Sequence, residues 1–457
     1  MNARRLSIVL CLVLLTSVVA LFACIDAQGA SPSGPPPKRT PTPTVGPSPT
    51  PTPTPTPVPP LPNGRRSVGY FIQWGIYRRS YLVKNIVTSG SATRLTHINY
   101  AFAGIGDDLK CMSLDTFADY NKAFDATESV DGVADPTSGG VLRGNFNQLR
   151  KLKLIYPHLK VLISIGGWSD SDKFSDAALP ENRAAFVSSC IDMFIKGNFA
   201  PGISDPTVFD GIDIDWEYPG ACGATCNYRP EDTQNFTALL AEFRSQLNAL
   251  SAQTGKQYLL TIAAPAGESY YSKIELNQIH PYLDFINMMA YDFHGTWESV
   301  TNLHAPLYAS AADPTIADHG WADYAVQAYL SAGIPSNKLV LGVPFYGRGW
   351  SGVKPGPHGD GLYQPASGAA RGKYEAGVDD YKELVPLEAS YAKYLHPEAR
   401  SVWIYNGRIL WTYDDPTSIG IKMNYVKANS LGGAMFWELS GDTANGALIT
   451  AVYSGLQ

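Results

Sequence analysis

The chain has 457 residues, of which 45% are hydrophobic and 17% charged, and its formal net charge is −6. Such a chain can bury a large core, and its length alone suggests about two domains. Acidic and basic residues are mixed, with no basic run beyond the N-terminus. This argues against a nucleic-acid partner, because nucleic acids bind to positively charged faces.

The first 30 residues are predicted to be an export signal. Residues 1–5 contain two arginines, and residues 6–23 are almost all apolar, which is typical of a signal peptide. The apolar run is just long enough to span a bilayer, so an uncleaved anchor is an alternative. Residues 21–24, LFAC, also resemble the bacterial lipobox, in which Cys24 would carry a lipid. We therefore expect an extracellular or cell-surface protein and leave open whether its N-terminus is attached to a membrane.

A linker rich in proline and threonine follows, over residues 31–60. Such a composition cannot form a core, and alternating prolines predict an extended, semi-rigid stalk. The folded domain is therefore expected to comprise residues 61–457.

Four cysteines lie in this domain: Cys111, Cys190, Cys222 and Cys226. In an exported protein, the stretch CGATC favours a disulfide between Cys222 and Cys226. Four cysteines allow three pairings, so this pairing is a hypothesis. A zinc site is the alternative, but no histidine lies nearby to complete a usual ligand set. We expect neither a metal nor a cofactor.

Short apolar runs alternate with helix-like segments from residue 61 onward. Runs of this kind are typical of parallel strands buried on both faces. Two of the intervening segments, residues 230–252 and 418–429, have helical patterns. Eight strands alternating with helices predict an α/β fold, a (β/α)8 TIM barrel. The long gap before the last run leaves room for an inserted α+β subdomain, residues 349–408, between strands 7 and 8. The eight runs are residues 67–74, 95–104, 160–168, 209–219, 258–266, 283–293, 338–347 and 432–440.

The fourth run, FDGIDIDWEYP, alternates acids with large apolar residues. Residues two apart on a strand face the same way, so Asp213, Asp215 and Glu217 share one face. In a barrel this face points inward, toward the carboxyl end where barrel enzymes keep their sites. Three neighbouring carboxylates in a protected interior cannot all ionise cheaply, so the outermost can stay protonated and act as a general acid. The alternative is the solvated face of an edge strand.

These motifs resemble glycoside hydrolase family 18, the chitinases. FDGIDIDWEYP is similar to the family's DxxDxDxE signature, with Asp210, Asp213, Asp215 and Glu217 in its four acidic places. The blocks SIGGW, MAYDF, GVPFYGRGW and GGAMFWELSGD resemble the other family motifs, in the same order. The segment after YGRGW resembles the family's chitinase insertion domain, which deepens the cleft.

The resemblance implies a substrate-assisted retaining mechanism, an exception to the usual pair of enzyme carboxylates. Glu217 would protonate the glycosidic oxygen, and the substrate's own 2-acetamido carbonyl would attack. Asp215 would orient the acetamide with help from Asp213, and Tyr291 would hydrogen-bond its oxygen. Residues expected to bind substrate are Tyr70, Gly166, Gly167, Trp168, Tyr218, Met289, Asp292, Arg348 and Trp437. Further sugar subsites are suggested for Trp74, Trp297 and Trp350.

The sequence therefore predicts an exported, monomeric chitinase that acts on chitin or chitooligosaccharides. A catalytically silent sugar-binding lectin on the same barrel is one alternative, although the acid Glu217 is present. An endo-β-N-acetylglucosaminidase that acts on N-glycans is another. Residues 104–142, which carry Cys111, match no motif and are a candidate wall of the cleft.

Overall fold

The computed structural model describes residues 61–457, so the predicted signal and linker lie outside the described residues. Eight parallel strands form a closed barrel in which each strand pairs with the next and the eighth pairs with the first. The predicted (β/α)8 TIM barrel is confirmed. The strands are β1 (Arg66–Ile72), β2 (His97–Ile105), β3 (Lys160–Gly166), β4 (Gly211–Asp215), β5 (Leu259–Pro265), β6 (Phe285–Met289), β7 (Leu339–Pro344) and β8 (Gly433–Trp437).

Helices surround the barrel and connect its strands. The predicted helix over residues 230–252 is α5, and the one over 418–429 is α10. The latter begins two residues early because Pro416 occupies its first turn and the Asp415 side chain accepts a hydrogen bond from the backbone N–H of Ser418 at 2.8 Å. The helices are α1 (Val83–Thr88), α2 (Gly144–Ile155), α3 (Phe174–Ala177), α4 (Pro180–Cys190), α5 (Asp232–Thr254), α6 (Glu268–Tyr271), α7 (Leu276–Ile279), α8 (Ala322–Ser331), α9 (Tyr381–Leu384), α10 (Pro416–Ala428) and α11 (Ala447–Leu456).

The alternation in β4 divides its side chains between two layers. Ile212, Ile214 and Trp216 are buried in the layer between barrel and helices, where Trp216 stacks on Phe174 with ring centroids 5.3 Å apart. Asp213 points the other way, into the barrel, where it accepts hydrogen bonds from side chains on four other strands. The two-residue period of the strand therefore carries the acids to the interior.

A second, antiparallel sheet follows β7. Its strands, in spatial order, are Gly368–Ala369, Tyr346–Ser351, Ile409–Tyr413, Val402–Tyr405 and Ala392–Leu395, and Val378–Asp380 also pairs with Tyr346–Ser351. The sheet extends beyond residues 349–408 on both sides, because the chain turns into it directly after Pro344. Trp350 is fully buried in the core of this sheet and donates a hydrogen bond from Nε1 to the carbonyl oxygen of Glu298 at 3.1 Å. Its suggested place in a sugar subsite is therefore wrong.

Two disulfides join the four cysteines of the domain. Cys222 is bonded to Cys226, as the sequence suggested, and Cys111 to Cys190. The second bond ties the segment after β2 to the end of α4. Over residues 61–457, no helix is both long and apolar enough to cross a bilayer.

Candidate active site

A cleft of about 1890 Å³ opens at the carboxyl end of the barrel strands. Aromatic and acidic side chains dominate its lining, and the inserted sheet contributes Arg348, Tyr374 and Glu375 to one wall. Leu114 also lines the cleft, so the segment after β2 forms part of it. Within the described domain, no group of three or more histidine, cysteine or acidic residues is arranged to hold a metal ion.

Asp213 lies fully buried at the base of the site. Its carboxylate accepts hydrogen bonds from Tyr70 Oη at 2.7 Å, Ser164 Oγ at 2.8 Å, Thr261 Oγ1 at 2.5 Å and Asn287 Nδ2 at 3.3 Å. Burial raises the pKa of Asp213, and these hydrogen bonds oppose that rise. Four donors from four strands fix the carboxylate in one position.

Asp215 lies above Asp213, at the end of β4, and reaches the cleft. Its Oδ1 is buried and has no hydrogen-bond partner within the described residues. Burial raises the pKa of Asp215 well above its usual value, and the neighbouring Glu217 and Asp213 charges raise it further. The buried Oδ1 of Asp215 is therefore free to accept a hydrogen bond from a ligand.

The two glycines that end the third apolar run lie beside Asp215. Gly166 has φ +104°, and a Cβ at this position would lie 2.3 Å from the Asp215 carbonyl oxygen. Gly167 has φ +86°, a Cβ there would lie 2.6 Å from the Phe102 ring, and its N–H donates to the Asp215 carbonyl oxygen at 2.8 Å. Neither glycine lines the cleft. Their structural role is to let the backbones of β3 and β4 approach closely.

Glu217 follows two residues after the end of β4 and lines the cleft. Its backbone N–H donates to Ser171 Oγ at 3.0 Å, and that hydroxyl also lies 3.0 Å from the carbonyl oxygen of Asp215. Burial raises the pKa of Glu217 to about 7, a hydrogen bond with Tyr218 lowers it, and the negative charge of Asp292 raises it. Glu217 is therefore an acid that can hold and release a proton near neutral pH.

Tyr291 and Asp292 follow β6 and lie on the side of the cleft next to the inserted sheet. Arg348 binds both oxygens of Asp292, at 2.8 and 2.7 Å, and His304 Nδ1 lies 3.2 Å from one of them. Although burial acts to raise it, the pKa of Asp292 lies well below its usual range, mainly because of the Arg348 charge. Burial and the Asp215 charge raise the pKa of Tyr291, so its hydroxyl stays protonated and can donate.

Aromatic rings form the floor and rim of the cleft. Trp437 stacks on Phe102 at 5.6 Å between centroids and contacts Tyr70 at 5.5 Å. Trp74, Trp168 and Trp297 line the cleft with 41%, 55% and 59% of their surfaces exposed. Met289 also lines it, and the Tyr218 ring lies 4.1 Å from that of Tyr270. Exposed tryptophans on a concave surface are typical of sites that stack against flat ligands with apolar faces.

The site brings together the predicted residues except Gly166 and Gly167, which lie behind it, and Trp350, which is buried in the inserted sheet. Sequence reasoning missed Ser164, Thr261 and Asn287, the three donors to Asp213 besides Tyr70. Each is a polar residue inside an otherwise apolar strand, which is the signal that could have identified them. Ser171 and His304 lie in loops and carry no such signal.

Comparison with known proteins identifies the fold and its motifs. Residues 66–442 match the family model described as glycosyl hydrolases family 18. The chain belongs to this family. Within it, the chain is 43% identical to Chitinase 63 of Streptomyces plicatus and 44% identical to Chitinase C of Streptomyces lividans, alignments that cover 87% and 83% of this chain. The chain spans only 62% and 58% of the lengths of these two relatives.

A solved chitinase structure matches most of the domain. The catalytic domain of psychrophilic chitinase B from Arthrobacter TAD20 is 39% identical in sequence and superposes with a TM-score of 0.82. The match covers 88% of this chain and 97% of that domain. The barrel and the inserted sheet thus lie within a fold that this chain shares with that catalytic domain.

Proposed function

We propose that this protein hydrolyses the β-1,4 linkages of chitin or chitooligosaccharides with retention of anomeric configuration. The arrangement that carries the proposal is Glu217, with a pKa near 7, next to Asp215, whose buried Oδ1 lacks a partner, in an aromatic-lined cleft. An N-acetylated sugar supplies what such a site lacks: an amide N–H for the free oxygen and an apolar ring face for the tryptophans.

Glu217 acts first as the general acid. It donates its proton to the glycosidic oxygen while the 2-acetamido carbonyl oxygen of the sugar attacks C1, and the bond from C1 to the leaving oxygen breaks. This leaves a cyclic oxazolinium ion and an ionised Glu217. Glu217 then takes a proton from water as the water oxygen attacks C1 and the bond from C1 to the acetamido oxygen breaks, which restores the acid, the acetamide and the original configuration.

Asp215, Asp213 and Tyr291 hold the acetamide during this reaction. Asp215 accepts the acetamide N–H on its free Oδ1, and its charge stabilises the developing positive ring. Asp213, fixed by its four donors, keeps Asp215 in place and shares its protonation. Tyr291, protonated because of its raised pKa, donates to the acetamide oxygen.

The remaining cleft residues bind and place the sugar rings. Trp437 supports the ring at the reacting bond, with Tyr70 packed beside it, and Met289 and Tyr218 bound the same pocket. Arg348 and Asp292, joined by two hydrogen bonds, present fixed polar groups to sugar hydroxyls. Trp168 lies farther along the cleft and binds neighbouring sugars.

The proposal includes an extracellular or cell-surface location and a monomeric chain. Two disulfides in the domain favour an oxidising compartment. The export signal expected in residues 1–30, with lipidation of Cys24 or an uncleaved anchor as alternatives, supports the same location. Chitin outside the cell would then reach the cleft directly.

The test follows the anomer of fresh products by proton NMR, with chitin oligomers as substrate. The full chain should release the β-anomer first, and Glu217→Gln should release almost none. Glu268→Gln is the matched control, because Glu268 also lines the cleft but lies on α6, away from β4. It should retain most of the activity.

Other outcomes would favour the two alternatives. Tight oligomer binding without cleavage by the unmodified protein would indicate a sugar-binding lectin. Neither binding nor cleavage of chitin oligomers, with release of sugars from N-glycans, would indicate an endo-β-N-acetylglucosaminidase. Early release of the α-anomer would contradict the retaining mechanism itself.

A further inference from the structure

A second groove, of about 820 Å³, lies at the opposite end of the barrel from the cleft. It is built from the last turns of α2, the start of β3, the residues before β4 and the residues before β5. All of these lie at the amino ends of the strands, so the groove shares no lining residue with the cleft. Nothing in the proposed hydrolysis uses it.

Cations outnumber acids in this groove. Its charged lining residues are Arg150, Lys153, Lys160 and Lys256 against Asp205 and Asp210. Arg150 lies 3.6 Å from Asp205, and Lys153 lies 2.7 Å from Asp210. Lys160 and Lys256 are therefore the two cations of the groove that are not paired with one of its acids.

The two remaining lysines have exposed side chains without partners. Within residues 61–457, neither Lys160 nor Lys256 makes a side-chain hydrogen bond or a salt bridge. The pKa of Lys153 is lowered by burial, and the charges of Lys160 and Lys256 lower it further against the opposing effect of Asp210. The ammonium group of Lys153 thus lies close enough to those of Lys160 and Lys256 to be repelled by both, and a bound anion would relieve this repulsion.

Three further cations lie at the amino end of the barrel. Arg66 at the start of β1, Lys338 before β7 and Arg244 of α5 lie at the same end of the barrel, with Asp284 as the further acid among them. The whole chain nevertheless has a net charge of −6. The fold has therefore separated charge that is mixed along the sequence.

We propose that this groove binds a linear, phosphate-bearing polyanion. Lysine ammonium groups bind phosphates as point charges, and these lysines lie on separate segments around a space much larger than one phosphate. A chain of phosphates can contact them together, whereas a single ion cannot.

The shape and composition of the groove favour a polymer over a lipid bilayer. A flat membrane surface cannot enter a concave groove. Membrane-binding faces also carry several protruding apolar side chains. The only large apolar side chain that is exposed among the groove's lining residues is Leu154, at 71%, while Phe209 and Tyr258 are buried.

The position of the groove gives binding a consequence for the cleft. The groove lies at the amino ends of the barrel strands, whereas the cleft lies at their carboxyl ends. A polyanion held at the amino end would leave the cleft, at the other end, facing away toward substrate. The groove thus orients the enzyme on an anionic polymer without taking part in catalysis.

The test is a titration of the full chain with inorganic polyphosphate in 50 mM salt. Lys160→Glu combined with Lys256→Glu should weaken binding at least tenfold and reduce the slope of log affinity against log salt by about two. Lys354→Glu combined with Arg371→Glu is the matched control, since it changes the net charge equally at exposed positions of the inserted sheet region. It should bind like the unmodified chain, and all three proteins should hydrolyse soluble chitin oligomers at equal rates.

Three results would overturn the proposal. The unmodified chain would fail to bind polyphosphate, or the control pair would lose as much affinity as the groove pair. Alternatively, vesicles containing anionic phospholipid would bind more tightly than polyphosphate at equal phosphate concentration, which would indicate a membrane surface. Lys160→Gln with Lys256→Gln adds no carboxylate and should give an intermediate loss. Hydrolysis is measured separately, so a failure of the proposed function would not be mistaken for a failure of the groove.

Discussion

The two ends of the barrel carry opposite charge and hold it in different ways. Ten acids and three arginines line the cleft at the carboxyl end, whereas four cations and two acids line the groove at the amino end. At the cleft, burial raises the pKa values of Asp215 and Glu217, and neither acid is paired with a cation of the described domain. At the groove, Asp210 lies against Lys153 at 2.7 Å, so it is paired with an opposite charge.

A single stretch of sequence supplies both ends. Asp210 precedes β4 and Asp215 ends it, so one five-residue strand separates an acid of the groove from an acid of the cleft. At about 3.3 Å per residue, this places the two backbones roughly 16 Å apart. The strand thus places two acids of one motif in different environments. Asp210 is in an ion pair at the groove, and Asp215 reaches the cleft.

The largest expected effect tests this contrast with the same substitution at both ends. Asp215→Asn should lower kcat for chitin oligomers by at least about 100-fold, because the amide cannot stabilise positive charge in the transition state. Asp210→Asn should leave kcat nearly unchanged but lower the free energy of unfolding by about 1–3 kcal/mol, because the carboxylate accepts the Val161 N–H and pairs with Lys153. Steady-state kinetics and urea unfolding measure the two effects.

The contrast would be broken by a large loss of kcat in Asp210→Asn with normal stability. Such a result would mean that the amino end of β4 communicates with the cleft. Equal destabilisation by both substitutions would instead mean that Asp215 also has a mainly structural role.

The apolar runs, the two-residue period of β4 and the order of the motifs predicted most of the fold and the site. Each of the eight apolar runs overlaps one barrel strand, because strands buried on both faces must be apolar. The acids of β4 were assigned to one face from the two-residue period alone. The exact limits of the inserted sheet were missed, because its first strand follows β7 after only Phe345 and continues the same apolar run.

Features that depend on several distant segments could not be read from the sequence. Trp350 looks like a cleft residue beside Arg348, yet neighbours on a strand face opposite ways, and Trp350 enters the core of the inserted sheet. The basic groove was also hidden, since its lysines come from separate segments and form no basic run. Local patterns therefore predicted the strands and the shared face of Asp213, Asp215 and Glu217. The burial of Trp350 and the groove depend on contacts between distant segments, which local patterns do not show.

A smaller effect compares two arginine–aspartate pairs at opposite ends. Asp292 pairs with Arg348 at 2.7 Å beside the cleft, and Asp284 pairs with Arg244 at 2.6 Å at the amino end. The Asp292 charge raises the pKa of Glu217, so Asp292→Asn should lower that pKa. The alkaline limb of the pH profile of kcat should then move down by about one unit, which is about a tenfold loss of rate above neutrality.

The matched substitution Asp284→Asn should leave this limb where it is and reduce only stability. Activity measured from pH 5 to 9 on both variants separates the two cases. An unchanged limb in Asp292→Asn would show that the charge of Asp292 does not reach Glu217, and an equal shift in both variants would point to a general effect of net charge.

The smallest effect concerns the stability cost of the buried acid. Because burial raises the pKa of Glu217 from 4.5 to about 7, the folded chain binds this proton more tightly than the unfolded chain. Stability therefore falls as pH rises through that window. Glutamine does not titrate, so the stability gained by Glu217→Gln over the unmodified chain should grow between pH 5 and pH 8, by at most about 3 kcal/mol.

Urea unfolding at the two pH values measures this difference, and Glu181→Gln, at an exposed carboxylate of α4, is the control that should show no such growth. The sign of the change separates the two ends of the barrel. Neutralising Glu217 at the cleft should stabilise the fold, because, within residues 61–457, Glu217 is buried without a cation in contact. Neutralising Asp210 should destabilise it, because its charge holds Lys153. If Glu217→Gln loses stability at pH 8, the ionised Glu217 makes favourable contacts. Its charge would then stabilise the fold, as that of Asp210 does at the groove.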